Sequence, residues 1–473
     1  MNLLADLQVA LPDALLAGFG LVALLLAAIG GDRISGLLRF VSVIALAAAS
    51  VFAFLQFPLG DAEAFNGLYK VSPFVLFAKG ATYALGALSL FMSGGFLKTA
   101  SMERYEYALL VVFAALGAGV MLSANDLMTL YLGVETLSLS SYVLAAFQRD
   151  SLKSSEAGLK YFVLGALASG LLLYGSSLVY GFAGGTGYAA IAAAENTVGL
   201  IFGLVLIICG LAFKASAAPF HIWTPDVYEG APAPVVAFFA TAPKIAAVVV
   251  LAHVMFTTFG PHEASWRMVI AIIAALSMII GAFGALAQNS IKRILAYSSI
   301  ANVGFALIGV AAGVEAGAPS VLVYMTIYVI GTLGIFGGVL ALRRGGQAID
   351  QVSDLNGLFK LKPGMALAMV ILIFSVAGVP PAAGFFGKFQ VLMAGLNGDL
   401  LWLVVVGILS SAVSLGYYLR LVWAMMMKPP GEPLDRTDLS VSATVLVTAV
   451  LAFPVITIAI QMLLDAAQFA SAG

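Results

Sequence analysis

Long apolar runs alternate with short polar connections along the whole chain. About 20 mostly apolar residues suffice to cross roughly 30 Å of hydrocarbon as a helix. Such runs fall near 11–30, 37–57, 72–96, 105–123, 127–147, 159–183, 198–220, 233–258, 268–288, 293–313, 318–342, 363–396, 401–427 and 441–465. The pattern predicts an all-α polytopic membrane protein with about 14 transmembrane helices. A barrel would show strands of about ten residues in strict alternation, and no strands are expected here. No connection is long enough to form a soluble domain, so the chemistry lies within the bilayer or at its rim.

Composition agrees. Of 473 residues, 62% are hydrophobic and only 10% charged, against about 25% charged in soluble chains. Disorder, nucleic-acid binding and a disulfide scaffold are excluded together. One cysteine (Cys209) and three histidines (His221, His253, His262) cannot build an iron–sulfur cluster, a zinc finger or a disulfide framework. The opening MNLLADLQVALPD has no basic segment and reads as leading into a retained helix rather than a cleaved signal peptide. Of the 22 Lys and Arg, 16 follow odd-numbered spans and only Lys70 and Arg267 follow even-numbered ones. The positive-inside rule assigns the richer side to the cytoplasm. A bacterial inner-membrane protein with both termini periplasmic and an even number of spans is expected.

The remaining four lysines, Lys79, Lys214, Lys244 and Lys388, lie inside spans. Of 23 acids, only Glu135 lies far from a predicted helix end, about 12 Å beyond Leu127. Ionisable residues at this depth are costly unless they face a partner or water, and they are functional candidates by default. Lys79, about seven residues into its span, also reads as a surface lysine that snorkels outward. Lys214 lies five residues before Pro219, which breaks its helix; capping that broken end is its plain structural alternative. Lys244 follows Pro243 and is too deep to snorkel; its alternative is a static interhelical salt bridge. Lys388 follows Pro380 and Pro381. Two broken spans with adjacent lysines, five spans apart, suggest two related halves around a transport site. His221 and His253 are candidate relays, with a hydrogen-bonded core histidine as the alternative for His253.

Redox and phosphate chemistry find no foothold. GFFGKF resembles part of a phosphate-binding loop, but Ala382 and Phe389 stand where that loop needs Gly and Ser or Thr. No metal site and no cofactor-binding site is expected in this chain. What is left is a file of Glu and Lys across the membrane middle. Desolvation favours a neutral amine and a nearby carboxylate favours the ammonium, so a Lys beside a movable Glu can switch its hold on a proton. One charge moved through 100 mV is worth about 2.3 kcal/mol. Ammonium groups suit protons better than a hard cation that seeks oxygen ligands.

FKASAAPFHIWTPDVYEGAPAPVVAF (213–238), the mid-helix glutamate in LYLGVETLSL (130–139) and GFFGKFQVL (384–392) resemble the antiporter-like membrane subunits of respiratory complex I, NADH-quinone oxidoreductase. The likeness spans nearly the whole chain, within a superfamily that includes Mrp-type cation/proton antiporter subunits. It is strongest to the subunit N branch, the counterpart of mitochondrial subunit 2. The chain ends soon after the last span without a long lateral helix, and Lys388 stands where the sister subunit M has glutamate. The resemblance implies a proton channel driven by quinone reduction elsewhere in the complex. It implies two inverted five-helix repeats with broken helices 7 and 12. The divisions would be 1–100 (three helices), 101–258 (helices 4–8), 259–428 (helices 9–13) and 429–473 (helix 14). It further implies proton-transfer roles for Glu135, Lys214, Lys244 and Lys388, with Lys160 and His221 matching less closely. FMN, iron–sulfur clusters and quinone would reside in other subunits. The partners would be lipids and the other membrane subunits, neighbouring antiporter-like ones included, and no nucleic acid. The tenth span, ILAYSSIANVGFALIGVAAG, has no charged counterpart of Glu135. The alternatives are a stand-alone or Mrp-type Na⁺(K⁺)/H⁺ antiporter and a passive scaffold whose buried charges are only salt bridges.

Overall fold

The computed structural model describes residues 3–471. Its first long stretch, Leu11–Leu59, has 49 residues and would measure roughly 70 Å if straight. It instead folds back at Gly31–Ile34, so that helix α1 (Leu11–Gly30) packs along α2 (Ser35–Gln56). Gly31 supplies the positive φ of 57° at that corner. Next come α3 (Pro73–Thr99), α4 (Tyr105–Leu122), α5 (Leu127–Ala145) and α6 (Leu152–Ala183). A broken segment follows, α7 (Val198–Ala215) then α8 (Trp223–Gly230), and after it α9 (Ala233–Phe239) and α10 (Ala242–His253). The second half contains α11 (Glu263–Leu286), α12 (Ile291–Ala311), α13 (Val314–Ala341), α14 (Pro363–Ala377), α15 (Ala383–Asn397) and α16 (Leu401–Met427). The chain closes with α17 (Leu439–Val450) and α18 (Ile460–Ser471).

Among the described residues, twelve helical stretches are long and apolar enough to cross a bilayer. Two places separate this from the expected fourteen. The first two expected spans share the stretch Leu11–Leu59, and the expected span 363–396 is split into α14 and α15. Interruptions are also more numerous than expected. Besides α7/α8 and α14/α15, the chain breaks between α9 and α10 just before Pro243 and again at Pro454, where Phe453 leaves helical geometry. Each proline removes a backbone donor and disfavours helix in the residue before it. The expectation of no strands needs correction: two small antiparallel hairpins occur in connections, β1 (Ala62–Ala64) with β2 (Tyr69–Val71) and β3 (Arg343–Arg344) with β4 (Gln347–Ala348).

Side-chain caps start several helices. The Asp126 carboxylate accepts from the Met128 and Thr129 amides at 2.8 and 2.9 Å, and Ser290 accepts from the Arg293 amide. Helices α10, α12 and α13 are almost wholly buried, and α13 packs against eight others: α3, α9, α10, α12, α14, α15, α17 and α18. Around this centre α1, α2, α6 and α16 expose rows of large apolar residues such as Leu25, Ile29, Leu167 and Leu409, which only a hydrocarbon surrounding tolerates on this scale.

Close helix crossings rest on glycine. A Cβ on Gly117 would strike the Leu137 amide nitrogen, and one on Gly281 would strike that of Ala301. Neither backbone can yield as a flexible side chain would. Gly281→Ala should therefore destabilise the protein by about 1–3 kcal/mol, read as a lower thermal unfolding midpoint in detergent. Gly170→Ala, where an added Cβ meets nothing within 4 Å, should leave the midpoint unchanged or raise it.

Candidate functional site

The breaks build the site. Helix α7 ends at Ser216, in the left-handed region with φ 66°, and the chain passes Pro219 before α8 begins. The last carbonyls of α7 therefore lack helical partners. Phe213 O accepts from Trp223 Nε1 at 3.0 Å. Ala215 O and Ser216 Oγ both accept from Lys244 Nζ, at 3.3 and 2.5 Å. The second break repeats the solution. Helix α14 ends at Gly378 with φ 82°, and Ala377 O accepts from Lys388 Nζ at 2.8 Å, with Ser411 Oγ at 3.4 Å. A Cβ on Gly378 would come within 2.6 Å of Lys388 Cδ, so glycine serves both the backbone turn and the passage of the lysine.

Lys214 behaves differently. It does not cap its own helix end. Its ammonium reaches α5, donating to Ser138 Oγ at 2.5 Å and to Tyr142 OH at 3.4 Å. The rings of Tyr142, Phe213 and Tyr161 lie at 5.3, 5.6 and 6.0 Å. Capping, the plain alternative for Lys214, is thus performed by Lys244 and Lys388. Lys214, Lys244 and Lys388 are only 8, 2 and 6% exposed. None of the three has a carboxylate within 4.0 Å among the described residues, so the salt-bridge alternative for Lys244 is not what the structure contains. Glu135 lies on α5 three residues before Ser138 and seven before Tyr142, hence on the same face. It is half-buried, and its Oε1 is enclosed without a hydrogen-bond partner.

Lys79 does form a salt bridge, which corrects the snorkelling reading. It is wholly buried and donates to Asp13 Oδ2 at 2.9 Å, Tyr69 OH at 2.7 Å and Ser123 Oγ at 2.5 Å. Tyr69 OH also donates to Asp13 Oδ2 at 2.6 Å, and Tyr83 OH donates to Oδ1. All three ammonium protons are used. Sequence reasoning does not reach Asp13, because it lies within the first turn of α1, where an acid is unremarked. Its only signal is the isolated charge in ALPDALLAGFG.

The weaker candidates fall outside this cluster. Lys160 pairs with Asp226 at 2.7 Å and Glu156 at 2.8 Å in a half-exposed network with Arg293 and Glu229. His221 lies half-buried in the connection after Pro219, with Nδ1 unpartnered. His253 stacks on Phe74 at 6.3 Å and lines a cavity of about 350 Å³ with Asp61, Lys70 and Asn125. Among the described residues, no group of three His, Cys, Asp or Glu is placed to hold a metal ion.

Residues 124–414, more than half of the chain, match the family described as NADH:quinone oxidoreductase/Mrp antiporter, TM. NADH-quinone oxidoreductase subunit N of Hirschia baltica is 59% identical, with 97% of each chain covered. The protein of the same name from Rhodospirillum rubrum is 49% identical over 98% of this chain and 96% of its own. The chain belongs to the NADH-quinone oxidoreductase subunit N family. A chain of respiratory complex I from Thermus thermophilus superposes with a TM-score of 0.85 at 32% identity, covering 97% of this chain and 99% of that one. A chain of the Mrp complex from Dietzia sp. reaches 0.86 at 22% identity over 98% and 97%, a likeness of fold alone.

The matched family region contains Glu135 and the three carboxylate-free lysines and leaves Asp13 and Lys79 outside. Asp13→Asn or Lys79→Met alone leaves a buried charge without its counter-ion and should destabilise by about 3–5 kcal/mol. Assembled subunit in the membrane, measured by immunoblot, should fall accordingly. The Asp13→Asn/Lys79→Met double variant should recover much of it, and proton translocation per NADH in whatever assembles should equal the parent's.

Proposed function

We propose that this antiporter-like, proton-translocating subunit moves protons from cytoplasm to periplasm along Glu135, Lys214, Lys244 and Lys388 with intervening water. The observation that carries the reading is the burial of three amines with no carboxylate within 4.0 Å. Each is held by hydroxyls, carbonyls and aromatic faces only. Such an amine can lose or gain a proton without leaving a buried counter-charge stranded, whereas breaking a closed pair like Asp13–Lys79 would strand one. Glu135, one helical turn from the hydroxyl that holds Lys214, is the movable charge that biases the first amine. The break in α7 then brings Lys244 to Ala215 and Ser216, one and two residues after Lys214, so two amines serve one interruption. Electron transfer through FMN and iron–sulfur clusters to quinone belongs to other subunits of the complex, whose membrane subunits are this chain's neighbours. The uneven distribution of Lys and Arg supports a bacterial inner-membrane location with both termini periplasmic.

Two related five-helix units, 101–258 and 259–428, form the frame, flanked by 1–100 and 429–473. Caps and crossings support the relation. Asp126 and Ser290 open α5 and α12, and the glycine contacts at Leu137 and Ala301 fall at the same offset from each cap. The Na⁺(K⁺)/H⁺ antiporter reading rests on the shared fold and on a family description that spans both groups.

Glu135→Gln keeps shape and removes charge. In inverted membrane vesicles oxidising NADH, it should lower dye-monitored proton uptake severalfold at unchanged complex content, as should Lys214→Ala. Full pumping in both variants would return these charges to a structural role.

A further inference from the structure

The second half lacks a carboxylate in the counterpart of α5, and the structure points to what stands in its place. Gly117 presses on the amide of Leu137, eleven residues after the Asp126 cap. Gly281 presses on that of Ala301, eleven after the Ser290 cap. In this register Ser299 corresponds to Glu135, and Asn302 corresponds to Ser138.

These two side chains lie in a buried file of hydroxyl groups between Lys244 and Lys388. Tyr228, Ser298, Ser299, Asn302, Tyr324, Tyr328 and Tyr418 are at most 4% exposed. Lys244 Nζ lies 6.0 Å from the Tyr228 ring centroid. Ser299 lies beside the hydroxyls of Tyr228 and Tyr328, and neither Ser299 Oγ nor Tyr228 OH has a protein hydrogen-bond partner. Tyr328 stacks on Tyr324 at 6.3 Å and 15°. Tyr324 OH donates to Asn302 Oδ1 at 2.9 Å, and Asn302 Nδ2 donates to Tyr418 OH at 3.3 Å. Tyr418 OH and Ser298 Oγ share a hydrogen bond of 2.5 Å. Tyr324 also borders Gly387, beside Lys388, and Phe305, whose ring lies 4.7 Å from Lys388 Nζ.

We propose that protons pass from Lys244 to Lys388 through this neutral hydroxyl file, with Tyr328 and Tyr324 as transfer residues and Asn302 as the positioning residue. Buried hydroxyls are satisfied by protein or by water, and the file needs water at four gaps: between Lys244 and Tyr228, among Tyr228, Ser299 and Tyr328, between Tyr328 and Tyr324, and between Tyr324 and Lys388. An N–H bond breaks on the Lys244 ammonium and one forms on the Lys388 amine. Each intervening oxygen takes one proton and releases another, Tyr324 turning its O–H from Asn302 Oδ1 to water beside Lys388 as it does so, and no hydroxyl changes its net charge. A carboxylate at this point would hold the proton in an ion pair, whereas a hydroxyl returns to its starting state after each transfer. The Asn302 amide, donating to Tyr418 and accepting from Tyr324, sets the direction in which the two hydroxyls rest and to which Tyr324 returns after each transfer.

The proposal rests on the lysine path of the preceding section, and the test separates the two. In the assembled complex in inverted vesicles, Tyr324→Phe and Tyr328→Phe keep ring packing and remove the hydroxyls. Ser299→Ala removes a hydroxyl that has no protein partner, so its fold is retained if a tyrosine variant fails to assemble. Each should lower protons translocated per NADH oxidised severalfold and raise the H₂O/D₂O ratio of the translocation rate, with Lys388→Met as reference. Parent stoichiometry and isotope ratio in Ser299→Ala and in both tyrosine variants, alongside a defective Lys388→Met, would overturn the hydroxyl file and leave the lysine path standing. An unimpaired Lys388→Met would remove the lysine path itself.

Discussion

Two unfulfilled needs meet at the breaks after α7 and α14. A helix interrupted within the membrane leaves carbonyl oxygens without donors, and an ammonium buried there needs acceptors. Neither is tolerated alone where water is scarce. Lys244 resolves both at the end of α7, and Lys388 resolves both at the end of α14. The negative end of each helix dipole adds to the attraction. Breaks and lysines are therefore one device. The proline that ends the helix creates the oxygen to which the charge binds.

The buried charges differ in how completely they are satisfied. The Asp13–Lys79 cluster closes on itself: both carboxylate oxygens and all three ammonium protons are engaged, by groups from α1, α3, β2 and the end of α4. It ties α1 and α3 to β2 and to the end of α4. Lys214, Lys244 and Lys388 each have two neutral acceptors, and Glu135 keeps one oxygen enclosed and unbonded. A saturated network resists change, whereas an open one can exchange partners and protons at little rearrangement.

The same contrast extends to the ends of the molecule. Arg293 of α12 bridges Asp226 and Glu229 of α8, and Lys160 of α6 joins Asp226. These partly exposed pairs are each worth about 0–1 kcal/mol, so they orient the helix after the break without freezing it. In the proposed two-repeat frame, α5 carries the carboxylate Glu135 and α12 carries Ser298, Ser299 and Asn302 instead.

Much of this was legible in the residues alone. Long apolar runs report depth along the membrane normal, since each residue advances about 1.5 Å. That suffices to locate the apolar segments, to single out Glu135 and the four lysines, and to mark the interruptions at Pro219 and Pro380. It does not report which face of a span meets which neighbour, because a helix apolar all round carries no directional stripe. The partner of Lys79 is 66 residues away at Asp13, and Ser138, which holds Lys214, is 76 away. Only tertiary packing could decide that Lys79 is buried and paired, that Lys214 turns away from its own helix end, and that tyrosines from α8, α13 and α16 converge on Ser299 and Asn302. Depth is a property of one chain segment; contact across helices is a property of how they pack.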